Sequence, residues 1–177
     1  MARRGVKAVY NPVSNMKLAS GISPVVRLLK ANITVALGTD GPCSNNTADM
    51  FETMKFASLL QKVATNDPTA LRAEQVLAMA TIEGARALGW SDEIGSLEPG
   101  KKADIIVVDF KKAHLTPLYS EESHLVYAAK SSDVRTVFVN GRMVVEDGEL
   151  TTMRLEDILE MAEKAKEELL SRLEAGG

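Results

Sequence analysis

Residues 33–41 read Ile33-Thr34-Val35-Ala36-Leu37-Gly38-Thr39-Asp40-Gly41, a β-branched and apolar run that ends in a glycine-flanked carboxylate. A short continuous apolar run stopped by glycine fits a strand buried on both faces, as parallel sheets require. Upstream, Val6, Ala8, Val9 and Tyr10 read as a second short strand that Asn11-Pro12 terminates. Between the two lie an expected loop, Val13 to Ile22, and an expected helix through Val25, Val26, Leu28 and Leu29, with Ser23 as its cap and Pro24 in its first turn. Strand, loop, helix, strand is the order of a parallel βαβ unit, so the first half reads as α/β.

Downstream of Gly41, the polar stretch Ser44-Asn45-Asn46-Thr47 precedes a helix whose Met50, Met54, Ala57, Leu60 and Ala64 keep helical spacing until Asp67-Pro68. Such a methionine-bearing stripe is ordinary core material. A further helix is expected from Val76 to Leu88, closed by Gly89 as a left-handed cap. From Ile94 the texture changes. Glu98-Pro99-Gly100 is a turn, Ala103 to Asp109 carries Ile105-Ile106-Val107-Val108, and Val134 to Val139 meets the hairpin dipeptide Asn140-Gly141 before Met143-Val144-Val145 and a second turn at Asp147-Gly148. The chain closes on an amphipathic helix expected to turn Leu155, Ile158, Leu159, Ala162, Ala165, Leu169 and Leu173 inward. The expected domains are residues 1–93, 94–150 and 151–177.

The 177 residues are 45% hydrophobic and 25% charged, which excludes disordered and fibrous classes. With 21 basic and 24 acidic residues the net charge is −3 and no basic stripe tracks a phosphate backbone, so nucleic acid is not an expected partner. The lone Cys43 cannot form an internal disulfide, and no apolar run is long enough to span a bilayer or open a signal peptide. The expected address is the cytoplasm, without a leader and without membrane association.

At the carboxyl end of a parallel strand a side chain projects into the mouth of an α/β site, which makes Asp40 the candidate for chemistry. Spacing alone leaves open that Asp40 only caps a turn. Gly38 to Gly41 lacks the residues of a phosphate-binding loop. His114 and His124 stand ten apart in the β-rich half with no neighbouring ligand at metal spacing, so they read as packing or loop histidines. Cys43 has no histidine nearby in sequence to activate it as a nucleophile.

Longer motifs carry a resemblance. Asn11-Pro12-Val13-Ser14-Asn15-Met16-Lys17-Leu18-Ala19-Ser20-Gly21, Leu37 to Gly41, Ser44-Asn45-Asn46 and Asp49-Met50-Phe51-Glu52 are similar to segments of the amidohydrolase superfamily, and more narrowly of the 5-methylthioadenosine/S-adenosylhomocysteine deaminases. The match continues through Gly84 to Gly89, Ile94 to Asp104, His114 to Tyr119 and Ser123 to Ala128. The resemblance implies the C-terminal part of a metal-dependent hydrolase (β/α)8 barrel, then part of a small β-sandwich and a C-terminal helix. It implies one divalent metal, zinc or iron, in the complete enzyme, held by a His-x-His pair, a further His and the Asp after the eighth strand. Of these only Asp40 is expected here, as metal ligand and catalytic proton acceptor; the remaining ligands, with a catalytic Glu and His, would lie upstream. No metal is expected in this chain alone. Asp40, Ser14, Asn15, Asn45 and Asn46 are expected at the mouth as substrate-binding residues, and Tyr10, where many relatives carry His, is expected to bear on the pocket.

The implied reaction is hydrolytic deamination of an adenosine-type nucleoside, methylthioadenosine or S-adenosylhomocysteine, with release of ammonia. Two alternatives stay open: a truncated, non-catalytic remnant or assembly module, and another amidohydrolase specificity such as guanine or triazine. A partial barrel leaves open sheet edges, so the expected macromolecular partner is a missing N-terminal half or a second copy.

Overall fold

The computed structural model describes residues 2–175. Strands β1 (Ala8–Tyr10) and β2 (Val35–Leu37) pair in parallel, Ala8 against Val35 and Tyr10 against Leu37. All three residues of β2 are buried, as a strand covered on both faces must be. Val6 lies outside β1 and is exposed.

The stretch expected as a loop is instead a helix over its first part, α1 (Pro12–Lys17). Pro12 fixes the first helical φ where no amide is needed, and the Asn15 and Leu18 amides donate to Asn11 and Ser14 carbonyls at 3.0 Å. Ala19 (φ +52°) and Gly21 (φ +91°) end it in left-handed conformations. Helix α2 (Val25–Lys30) follows as expected, but no side chain caps it: Pro24 takes the capping position, and the Ser23 carbonyl accepts from Gln61 Nε2 at 2.9 Å.

After the one-turn α3 (Pro42–Asn45) comes α4 (Met50–Thr65), ended by Asn66 at φ +55° just before Asp67-Pro68. The helix expected over 76–88 is two helices, α5 (Ala73–Ala80) and α6 (Ile82–Leu88). Thr81 breaks them at φ −126°, ψ −97°, its hydroxyl donating back to the Leu77 carbonyl at 2.7 Å. The apolar spacing runs on across this one-residue break and does not register it. Gly89 closes α6 at φ +78° as expected.

Strands β3 (Ile105–Val108), β4 (Val134–Val139), β5 (Arg142–Glu146) and β6 (Glu149–Leu150) form an antiparallel sheet in that order. Asn140-Gly141 and Asp147-Gly148 make its tight turns, each with both residues at positive φ. Between β3 and β4, helix α7 (Glu121–Tyr127) returns to the first half. Leu115 and Val126 are fully enclosed with Tyr10, Val35, Met54, Val76 and Met79 in one core. Tyr10 is thus a core residue rather than a pocket residue: its hydroxyl accepts from Gln61 Nε2 of α4 at 3.2 Å.

The closing helix α8 (Leu155–Ala175) has the expected register but not the expected burial. Leu155, Leu159, Leu169 and Leu173 are each more than half exposed. Periodicity reports a face that favours cover, and no described part of this chain supplies it. Overall the chain exposes 11,829 Å², against about 8,400 Å² for a compact monomer of its 19.1 kDa. The surplus is the size of an obligate interface. No described helix is long and apolar enough to cross a membrane.

One polar staple joins the loop after β3 to the turn before β4. His114 Nε2 lies 2.8 Å from the Asp133 carboxylate, which also accepts from the Lys130 amide at 2.9 Å. Burial of Asp133 acts to raise its pKa, but the His114 and Lys130 hydrogen bonds outweigh it and hold the carboxyl below its ordinary value. A depressed folded-state pKa contributes stability above the unfolded value, near 3.9, that is lost as pH falls through the folded one. Denaturant unfolding at about pH 7 and about pH 3 therefore shows wild type more stable than Asp133→Asn at the higher pH, with the gap closing at the lower. A gap independent of pH contradicts this.

Candidate functional site

Beyond Leu37 the Gly38 amide still donates to the Tyr10 carbonyl at 3.1 Å, so the chains leaving β1 and β2 stay side by side. Gly38 is needed for this approach. A Cβ there would lie 2.5 Å from Asn11 Oδ1 and 2.9 Å from Val9 Cγ1. The two exits bring α1 against the Thr39-Asp40-Gly41 turn.

Asp40 is exposed and sits at φ +62°, a left-handed conformation that Asp tolerates better than most residues. Its Oδ2 accepts from the Ser14 hydroxyl at 2.7 Å and its Oδ1 from the Gly41 amide at 2.8 Å. The Ser14 bond first and the Gly41 bond second hold the carboxyl below its ordinary pKa, so it is ionised at neutral pH. The Ser44 hydroxyl, which donates to the Gly41 carbonyl at 3.1 Å, also lies close enough to help hold the carboxyl down, so Asp40 is served from α1, from its own turn and from α3. The arrangement suits a carboxylate that ligates a cation or accepts a proton from water.

Ser14, Asn15, Asn45 and Asn46, expected at the mouth, all lie around the Asp40 turn, and three of them are engaged within the protein. Ser14 is buried, with its hydroxyl on Asp40. Asn45 is also buried; its Nδ2 donates to the Thr39 carbonyl at 2.6 Å and braces the turn that carries Asp40. Asn46 holds φ +74° at the end of α3 and accepts from Lys17, whose ammonium also donates to the Cys43 carbonyl at 3.1 Å. Asn15 is half-buried on α1 and is the member of the set not engaged in this bracing. Short polar side chains in a loop motif look alike for bracing and for binding, and only their burial separates the two.

Other residues here escape a motif reading. Lys17 clips α1 to α3. The Thr47 hydroxyl reaches Asn45 Oδ1 at 3.3 Å and Glu52 Oε2 at 3.0 Å, donating to one at a time. Asp49 caps α4 by accepting from the Phe51 and Glu52 amides, and its other oxygen accepts from the Ser131 hydroxyl. The Asp-x-x-Glu spacing announces the cap; nothing local announces Ser131.

Among the described residues no three of His, Cys, Asp and Glu converge as a metal site. His114 is taken by Asp133, nineteen residues on, and the His124 ring lies between the Ser120 and Pro117 carbonyls. Cys43 is exposed on α3. The donor set present is one oriented carboxylate, Asp40. It fits a divalent cation as one ligand of several and is too few to make a site by itself.

The profile of the amidohydrolase family matches residues 1–144, which include Asp40, both of its braces and the sheet through Val144. The chain belongs to the amidohydrolase family. Among curated amidohydrolase relatives it is 54% identical over 175 residues to a 5'-deoxyadenosine deaminase of Methanosarcina barkeri, covering 99% of this chain and 40% of that protein. It is 56% identical over 160 residues to a 5-methylthioadenosine/S-adenosylhomocysteine deaminase of Syntrophobacter fumaroxidans, covering 90% and 36%. Among solved structures, an adenosine deaminase from Xanthomonas campestris with bound zinc superposes with a TM-score of 0.94 at 41% identity, over 96% of this chain and 39% of that one. The chain thus spans about 40% of the length of the relatives it matches. Helix α8 lies beyond the residues that the family model matches, while the alignment to the Methanosarcina barkeri protein covers 99% of the chain.

Bracing by Asn45 has a direct consequence. Asn45→Ala leaves the Thr39 carbonyl without its donor, at about 1–2 kcal/mol, and lowers Tm by roughly 2–8 °C. Asn45→Asp does not restore it, because an ionised carboxylate cannot donate. Unchanged melting of both variants would rule out the bracing role.

Proposed function

We propose that the chain is the C-terminal part of a hydrolytic deaminase of adenosine-type nucleosides, and that Asp40 is its contribution to the active site. The observation that carries this reading is the Asp40 carboxylate itself: at the exit of a buried parallel strand, oriented by Ser14 and Gly41, and open on its outer side. The named activities of relatives above 50% identity supply the substrate class, 5'-deoxyadenosine, methylthioadenosine or S-adenosylhomocysteine. We assign residues 1–93 to the last strands of a (β/α)8 barrel, 94–150 to part of a small β-sandwich, and 151–177 to a terminal helix. Parallel β1–β2 flanked by helices and the antiparallel β3–β6 sheet support that division.

A divalent ion, zinc or iron, at Asp40 would supply the charge that acidifies an attacking water at neutral pH. Asp40 would hold that ion as one ligand among several and would accept the attacking water's proton. The water's oxygen adds to the amino-bearing ring carbon and that carbon's bond to the amino nitrogen breaks; of the water's two protons one ends on the adjacent ring nitrogen and the other on the departing amino group, which leaves as ammonia. Ser14, Asn45 and Lys17 contact no substrate in this scheme; they fix the turn that aims Asp40. The remaining ligands come from polypeptide outside residues 1–177, which is also the partner that the surplus exposed surface and the bare α8 face fit. That same surface favours a second reading, an assembly module without chemistry of its own.

A graft separates the two. Residues 1–177 replace the corresponding region of the Syntrophobacter fumaroxidans enzyme, which is 56% identical to this chain over 160 residues. The deaminase reading expects the graft to bind zinc and release ammonia from these nucleosides, and Asp40→Ala to lower kcat by more than the roughly 100-fold reached by losing an outer-shell contact, with little change in Tm. It also expects the 177-residue chain by itself to hold no stoichiometric zinc. A folded, inactive graft, or an Asp40→Ala graft at full rate, contradicts the reading.

A further inference from the structure

Ser14 was expected to touch substrate, yet it is 4% exposed and its hydroxyl points at Asp40 Oδ2, 2.7 Å away. A serine in a helix commonly donates to a carbonyl four residues back; here it reaches 26 residues along the chain instead. Asp40 depends on such help. It is exposed, so packing does not lock its rotamer, and the Gly41 amide that meets Oδ1 is its own chain neighbour and constrains only one end of the carboxylate. The second oxygen is fixed from α1. The base that carries Ser14 is firm: Pro12 is buried, Ser14 lies two residues further along α1, and Lys17 ties the end of α1 to Cys43 and Asn46 on the far side of the Asp40 turn.

We infer that Ser14 is a positioning residue: its buried hydroxyl, bonded to Oδ2, sets the plane of the Asp40 carboxylate toward the site where ligand and water meet. The inference rests on the reading of Asp40 as a metal-ligating carboxylate. A ligand free to rotate binds more weakly, because the entropy of fixing it falls on the binding step, and outer hydrogen bonds of this type typically contribute 10–100-fold in metal affinity. The substrate, by contrast, does not reach a hydroxyl buried behind Asp40. Loss of Ser14 therefore acts on metal affinity and kcat and leaves KM in place.

The test uses the graft described above, with zinc affinity measured by chelator competition, kcat and KM measured at saturating zinc, and Tm followed in parallel. Ser14→Ala is expected to weaken zinc binding by about 10–100-fold and to lower kcat, with KM unchanged within about twofold. If Ser14→Ala retains full zinc affinity and kcat, whatever its Tm, Ser14 is merely structural and the inference fails while the deaminase reading stands. A raised KM with unchanged affinity restores the substrate-contact role and likewise overturns it. A wild-type graft that binds no zinc refutes the reading of Asp40, and the inference falls with it.

Discussion

The parallel pairing of Ala8–Tyr10 with Val35–Leu37 is the constraint on which the rest of the structure depends. Parallel strands leave the sheet at the same end, so the segments after Tyr10 and after Leu37 emerge together. The Gly38 amide extends the ladder by one bond, and the lack of a Cβ at Gly38 lets Asn11 pack against it. From that point α1 and the Asp40 turn are neighbours by geometry. The Ser14 to Asp40 hydrogen bond, the Lys17 clip and the Asn45 brace are what those neighbours make of short polar side chains. An antiparallel pairing would send the two exits to opposite ends and disperse the site.

Elements whose cause is local were legible in the sequence. Strand β2, the Asp67-Pro68 break, the Gly89 cap and the two type-specific turns at Asn140-Gly141 and Asp147-Gly148 each follow from residues within a few positions of one another. Helix α1 was missed because its polar composition masks a proline-started turn, and the Thr81 break because one residue out of helical conformation does not disturb the spacing. The position of Asp40 at the exit of a buried strand was visible in the sequence. The roles of Ser14 and Asn45 were not, because binding and bracing use the same residue types and differ in burial, which is a property of the assembled fold. His114 with Asp133 and Asp49 with Ser131 join residues too far apart for spacing to connect.

The energetics divide the molecule in the same way. One core, from Tyr10 through Val126, is densely closed by helices α4, α5 and α7 around the two parallel strands. Around it the sheet β3–β6 shows exposed Ile106, Val107 and Val139, and α8 shows a leucine face. Apolar surface left in water on this scale is characteristic of faces that meet another part of an assembly. Under the deaminase reading, the oriented carboxylate of Asp40 would be one component of a site, with the rest of the chain the scaffold that aims it.

Shared ligation by Asp40 is tested most directly by anomalous diffraction at the zinc edge from crystals of the grafted enzyme. Ligation places the anomalous peak about 2.0–2.2 Å from an Asp40 carboxylate oxygen. A fully occupied zinc site outside coordinating distance of Asp40 would contradict it.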